Sequence, residues 1–119
     1  MSSIFGMLEK IKARPGLYIC RASVSDLFMF VVGYRTAREE LGIEPTEAEF
    51  DFYGEFQPWL QQRLKITTSS SWAKMIELGC GSEQEAFVRF FELLDEFLLR
   101  DDRAVAIAKD PSVELSRAQ

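Results

Sequence analysis

The stretch Glu83-Gln84-Glu85-Ala86-Phe87-Val88-Arg89-Phe90-Phe91-Glu92-Leu93-Leu94-Asp95-Glu96-Phe97-Leu98-Leu99 decides the fold. Phe87, Phe90, Phe91, Leu94, Phe97 and Leu98 recur at steps of three and four, the spacing that stacks side chains on one face of an α-helix. The apolar face is broad, so the segment predicts a helix at the centre of a core rather than one lying on a surface. Ser82 and Glu85 stand in capping-box spacing at its start. Asp101 or Asp102 then predicts the start of a final helix through Ala108, and Pro111 to Gln119 reads as a loose tail.

Outward from this segment the pattern stays helical. Ser3 caps a first helix over Ile4 to Ala13, with Ile4, Leu8 and Ile11 inside, and Arg14-Pro15-Gly16 stops it. Leu17 to Cys20 reads as a short extended piece. Ser23 to Asp26 opens a second long helix whose inner line is Leu27, Val31, Tyr34, Ala37 and Leu41, with Gly42 as its stop. Thr46 and Glu49 repeat the capping-box spacing, and Phe50 to Phe56 reads as a turn of helix followed by a loop. Pro58 is expected in the first turn of a separate helix reaching Lys65, where its missing N–H is harmless. Ser71 caps a short helix carrying Trp72, Met75 and Ile76, and Gly79-Cys80-Gly81 breaks it. The expected fold is all-α: one domain of five to six helices over residues 1–108, at most a very short extended segment near 17–20, and a loosely ordered tail over 109–119.

At 119 residues with 47 % hydrophobic side chains and ten phenylalanines, a core can form without disulfide or metal. Cys20 and Cys80, outside any C-x-x-C spacing, read as buried free thiols. No basic stretch followed by an apolar run opens the sequence, and the longest apolar run, Leu27 to Val32, is too short for a bilayer. The expectation is a cytosolic protein.

The sequence contains no histidine. That removes the imidazole base, the histidine metal ligand and the usual catalytic triad, and two thiols alone do not make a structural zinc site. The remaining candidates for chemistry are carboxylate pairs, Asp95 with Asp101 or Glu92 and Glu47 with Asp51, and the Ser69-Ser70-Ser71 run. Helical spacing places such pairs together without making them catalytic, and no base can be named for the serines. Gly79 and Gly81 lack the lysine and the preceding strand of a phosphate loop. No catalytic residue, cofactor or metal is expected.

Charge is the most informative feature. Glu39, Glu40, Glu44, Glu47, Glu49, Asp51 and Glu55 put seven carboxylates between positions 39 and 55 with no Lys or Arg among them. The part through Arg38 is net positive, with six basic residues against Glu9 and Asp26, so the total of −5 hides segregation. Crowded carboxylates repel one another, and a basic partner relieves that repulsion while being steered in by the field. A solubilising acidic surface is the plainer reading of the same residues. Nucleic acid as a direct partner is disfavoured for want of clustered Lys and Arg, and a membrane surface for want of a lysine-rich helix face. Trp59 and Trp72 read either as interface anchors or as core.

Five stretches in order carry a resemblance: Ile11 to Ile19 (IKARPGLYI), Leu27 to Tyr34 (LFMFVVGY), Phe56 to Leu60 (FQPWL), Ser71 to Ile76 (SWAKMI) and Glu85 to Phe97 (EAFVRFFELLDEF). Over residues 4–99 the chain resembles a group of small bacterial proteins, some of them similar to immunity proteins of contact-dependent inhibition and related polymorphic toxin systems. The resemblance implies stoichiometric inhibition of a cognate toxin domain, with a nuclease as the expected target. It carries over no binding residue, because the shared positions are apolar or turn-forming. It directs attention to the loops between them, and so to the run from Glu39 to Glu55. A small helical adaptor with no toxin partner is the alternative, and a carboxylate-dependent enzyme is the third class.

Overall fold

A serine or threonine hydroxyl accepts a backbone N–H three residues on at the start of five helices: Ser3 from Gly6, Ser23 from Asp26, Thr46 from Glu49, Ser71 from Lys74 and Ser82 from Glu85. Each bond satisfies one of the amides that a helix start leaves without an internal partner. In the computed structural model, which describes residues 3–68 and 70–109 and only the backbone beyond Arg100, these caps open α1 (Ile4–Ala13), α3 (Val24–Glu40), α4 (Glu47–Leu64), α5 (Trp72–Leu78) and α6 (Glu83–Lys109). One further turn, α2 (Pro15–Tyr18), follows α1 directly. The protein is all-α, with no strand among the described residues. The expected tail beyond 109 lies outside them.

Three local expectations need correcting. Leu17 to Tyr18 belong to a helical turn rather than an extended piece: Pro15 occupies the first helical position, and the Ile19 N–H donates back to the Pro15 carbonyl at 2.8 Å. Phe50 to Lys65 is no loop followed by a new helix, since α4 runs unbroken through Gly54 and Pro58. Phe52, Phe56 and Leu60 all lie buried along one side of it, and burial of that stripe outweighs the bond Pro58 cannot donate to Gly54. Gly54 is exposed, which lets water reach its carbonyl. Likewise α6 passes through Asp101 and Asp102 without a restart.

Phe87, Phe90, Phe91, Leu94 and Phe97 of α6 are all buried, with Leu98 packed against them, as the spacing predicts. Trp72 links α5 to rings on α3, α4 and α6. Its ring stacks on Phe90 at 4.8 Å between centroids and meets Phe28 at 5.0 Å and Phe56 at 5.7 Å edge-on. Such pairs add about 0.5–1.5 kcal/mol each beyond the area they bury. Trp59 lies half-buried between Phe56 and Phe97, so both tryptophans belong to the core rather than to an exposed anchor.

Two carboxylates tie distant helix starts together. Glu49, in the first turn of α4, takes the Thr46 N–H on Oε1 at 2.9 Å and the Ile4 N–H, the first amide of α1, on Oε2 at 2.7 Å. Glu83, at the start of α6, accepts from the Ser23 hydroxyl at 2.8 Å and from the Ser25 N–H and hydroxyl at 3.0 and 2.8 Å, all at the start of α3. In both cases one anion sits at the positive ends of two helices.

Candidate protein-docking surface

Helix α3 ends at Glu40, and Gly42 turns the chain with φ of 73°, a conformation open to glycine. Pro45 and Thr46 then set the start of α4. The corner so formed encloses an open cleft of about 490 Å³. It is lined by the apolar side chains Ile43, Pro45 and Phe50, by Tyr53, by Arg35 and Arg38, and by the carboxylates Glu39, Glu44, Glu47 and the buried Glu49.

The arginines are held by the protein itself. Arg35 pairs with Glu39 at 3.3 Å and its guanidinium lies 4.7 Å from the Tyr53 ring centre. Arg38 donates to the Tyr34 hydroxyl at 3.0 Å and covers that same ring at 5.2 Å. The Tyr53 hydroxyl is pushed up to about 12, first by burial and then by the nearby Glu49 carboxylate, so it stays a neutral phenol at physiological pH.

The seven carboxylates expected to form one acidic face are divided by the structure. Glu39, Glu40, Glu44, Glu47 and Glu55 are exposed. Glu49 is not available to any partner: it is 0 % exposed, because it falls on the same inner stripe as Phe52 and Phe56 and spends both oxygens on backbone amides. Asp51 is half-buried and bonded to Arg100 at 3.4 Å, which also removes it from pairing with Glu47 in acid–base work. Glu55 lies on the flank facing Arg100, apart from the cleft, beside Pro58 and Trp59. Among the described residues, Glu40, Glu44 and Glu47 take part in no ion pair.

Large apolar side chains stand open at the same corner. Leu41 is 74 % exposed and Phe50 is 70 % exposed. Leu41 and Ala37 were expected on the inner line of α3, but its buried residues stop at Val31 because α4 departs at the corner and leaves the last turns of α3 uncovered. Phe50 escapes a loop-based reading of its segment. Once α4 is drawn as one helix, Glu49, Phe52, Phe56 and Leu60 form the inner stripe and Phe50 necessarily points outward.

The other candidates resolve as structure. Glu92 pairs with Arg89 at 3.0 Å, Ser71 caps α5, and the Ser70 carbonyl accepts from Gln57. Ser69 and the Asp101 side chain lie outside the described residues. Cys20 is exposed, not buried, on a turn with φ of 75°, while burial raises the half-buried Cys80 thiol above its ordinary value. No group of three or more metal-ligating side chains gathers among the described residues, and none of their helices is long and apolar enough to cross a membrane. Comparison with protein-family models, with curated proteins and with solved structures found no match.

Proposed function

We propose that this chain is an immunity protein that binds a cognate toxin domain one to one and neutralises it by covering its substrate site, the expected target being a nuclease. The observation that carries the reading is the α3–α4 corner, where Phe50 and Leu41 stand open beside Glu40, Glu44 and Glu47. Leu41 and Phe50 are the two most exposed large apolar side chains among the described residues, and an apolar patch rimmed by polar groups is what marks a protein interaction site. A nuclease domain presents Lys and Arg to hold phosphates. The open carboxylates meet those cations, Phe50 and Leu41 fill an apolar recess, and the bulk of the helices excludes the nucleic acid. No group on this chain needs to react.

The test is co-expression with toxin nuclease domains, starting with any encoded in the neighbouring genes, followed by purification and calorimetry. A 1:1 complex that abolishes toxin activity is expected. Changing Glu40, Glu44 and Glu47 together to glutamine should weaken binding about tenfold to a hundredfold, each rim charge contributing roughly 0.5–1 kcal/mol. The slope of affinity against salt should flatten as well. Affinity and salt slope that both stay at the wild-type value refute the proposal.

A further inference from the structure

We propose that the cleft at the α3–α4 corner, part apolar and part acidic, receives a single arginine side chain from the protein that docks there. The inference rests on the docking reading of this corner, and adds which group of the partner enters it and how.

A volume of about 490 Å³ is within the range of sites that bury a small ligand, and it exceeds what one side chain needs. Its lining mixes two chemistries. Ile43, Pro45 and Phe50 offer a surface for an aliphatic stem, and the Phe50 ring offers a face for a flat cation. The two arginines of the lining are engaged within the protein, Arg35 with Glu39 and Tyr53, Arg38 with the Tyr34 hydroxyl and ring. Arg35 is matched by Glu39, and Glu49 is buried with both oxygens on backbone amides. Glu44 and Glu47 remain exposed with no ion pair among the described residues, so the open part of the lining holds two carboxylates against Arg38. An anionic ligand would meet that excess at close range, whereas a cation is complementary to it.

Arginine fits better than lysine. The planar guanidinium stacks on an aromatic face while its edge donates to carboxylates, and it loses less hydration than an ammonium on entering a half-apolar site. Arg35 already makes this arrangement inside the same cleft, lying over Tyr53 while bonded to Glu39, and the incoming side chain repeats it on Phe50 with Glu44 and Glu47.

The experiment needs no toxin. N-acetyl-arginine methylamide is titrated into the ¹⁵N-labelled full chain, with the lysine and norleucine analogues as parallel probes. Amides from Ile43 to Tyr53 should shift and saturate, with a dissociation constant on the order of millimolar for so small a ligand. The lysine analogue should bind at least about threefold more weakly and the norleucine analogue should not saturate. E44Q/E47Q should weaken the arginine probe about tenfold, and F50A should weaken it separately; both positions are solvent-exposed, so the rest of the spectrum should superpose and confirm folding. Shifts that do not saturate, equal binding of the three probes, or an unchanged response in E44Q/E47Q overturn the inference. A chain that binds the probe as described but forms no complex with any of the toxin domains tested would retain the arginine site and lose the proposed function. A chain that inhibits the toxin but ignores the probe would do the reverse.

Discussion

Glu49 is the carboxylate whose removal has the best-defined cost. In Glu49→Gln one oxygen remains, and it should stay on the Ile4 N–H, because that residue is fully buried while the exposed Thr46 can turn to water. The Ile4 bond falls from charge-assisted to neutral, a loss of about 1 kcal/mol. Half of the capping box goes, at about 0.5–1 kcal/mol. Attraction of the anion to the two helix ends goes too, at roughly 0.3–1 kcal/mol each, offset in part by no longer burying a charge. The net expectation is a loss of about 1.5–3 kcal/mol. Glu49→Ala also leaves the Ile4 amide without a partner and opens a small cavity, for roughly 3–4 kcal/mol. Urea unfolding followed by tryptophan fluorescence reads both, since Trp72 is in the core, and with an m-value of about 1–3 kcal/mol/M the glutamine variant should lose roughly 1 M in midpoint. Amide exchange supplies a local readout: the first N–H of a helix normally exchanges freely, so Ile4 should be protected in the wild type and lose that protection in the alanine variant. A midpoint unchanged in the glutamine variant, or an alanine variant no worse than the glutamine one, refutes the clasp.

Two further outcomes follow from the same helix ends. Glu83 is held down at about 2, first by the adjoining Glu77 side chain and then by the Ser25 amide and the Ser23 and Ser25 hydroxyls. A depressed carboxylate stabilises the fold above its unfolded value near 4.5 and loses that contribution as pH falls toward 2, so Ser23→Ala/Ser25→Ala should lower the urea midpoint most at neutral pH, and the difference from wild type should shrink as pH falls toward 2 until only the cost of the lost Ser23 cap remains; a difference that does not shrink in acid refutes the linkage. Pro58→Ala restores the N–H to the Gly54 carbonyl in the middle of α4 and should raise stability by roughly 1–3 kcal/mol, measured by urea unfolding; a destabilised variant would mean that the proline ring packs better than its missing bond costs.

The sequence spoke most clearly where hydrophobic spacing and a cap agreed. Ser3 with Ile4, Leu8 and Ile11 gave α1 its bounds, and Ser71 with Trp72, Met75 and Ile76 gave α5, because a hydroxyl at the right step and a buried stripe are both local signals. It misled where a local breaker opposed a tertiary gain. Gly54 and Pro58 argue for a break, but the stripe of Glu49, Phe52, Phe56 and Leu60 runs straight past them, and rings on α5 and α6 exist to receive it. That error propagated into the site. With 50–56 drawn partly as loop, Glu49 stands as one more surface charge and Phe50 has no face assigned to it, whereas the continuous helix turns Glu49 inward and Phe50 outward. The docking of Asp51 on Arg100 was not legible at all, since 49 positions separate them and nothing in either segment specifies the register of α4 on α6.

The division of the carboxylates bears on how a partner could be recognised. Helix starts demand anions, and this fold satisfies part of that demand across helices rather than within them, consuming Glu49 and Glu83; Glu85 meets it locally on the Gly81 amide at 3.1 Å. Asp51 and Glu96 are consumed by Arg100 and Arg63. The net charge of −5 therefore overstates what a docking protein meets at short range. In about 0.15 M salt the field of a surface charge fades over about 8 Å, so exposed carboxylates far from the contact assist the approach only at low ionic strength. Under the proposed docking at the corner, affinity at physiological salt rests on Glu40, Glu44 and Glu47 beside open apolar side chains. The two classes of carboxylate should then separate cleanly in experiment. Substitution at Glu49 or Glu83 should lower stability and leave the salt dependence of binding alone among molecules that are folded, whereas substitution at Glu44 or Glu47 should change the salt dependence and leave the unfolding midpoint within about 0.5 kcal/mol of wild type. A corner variant that unfolds early, or a clasp variant that binds with an altered salt slope, would show that the two roles are not divided between these residues.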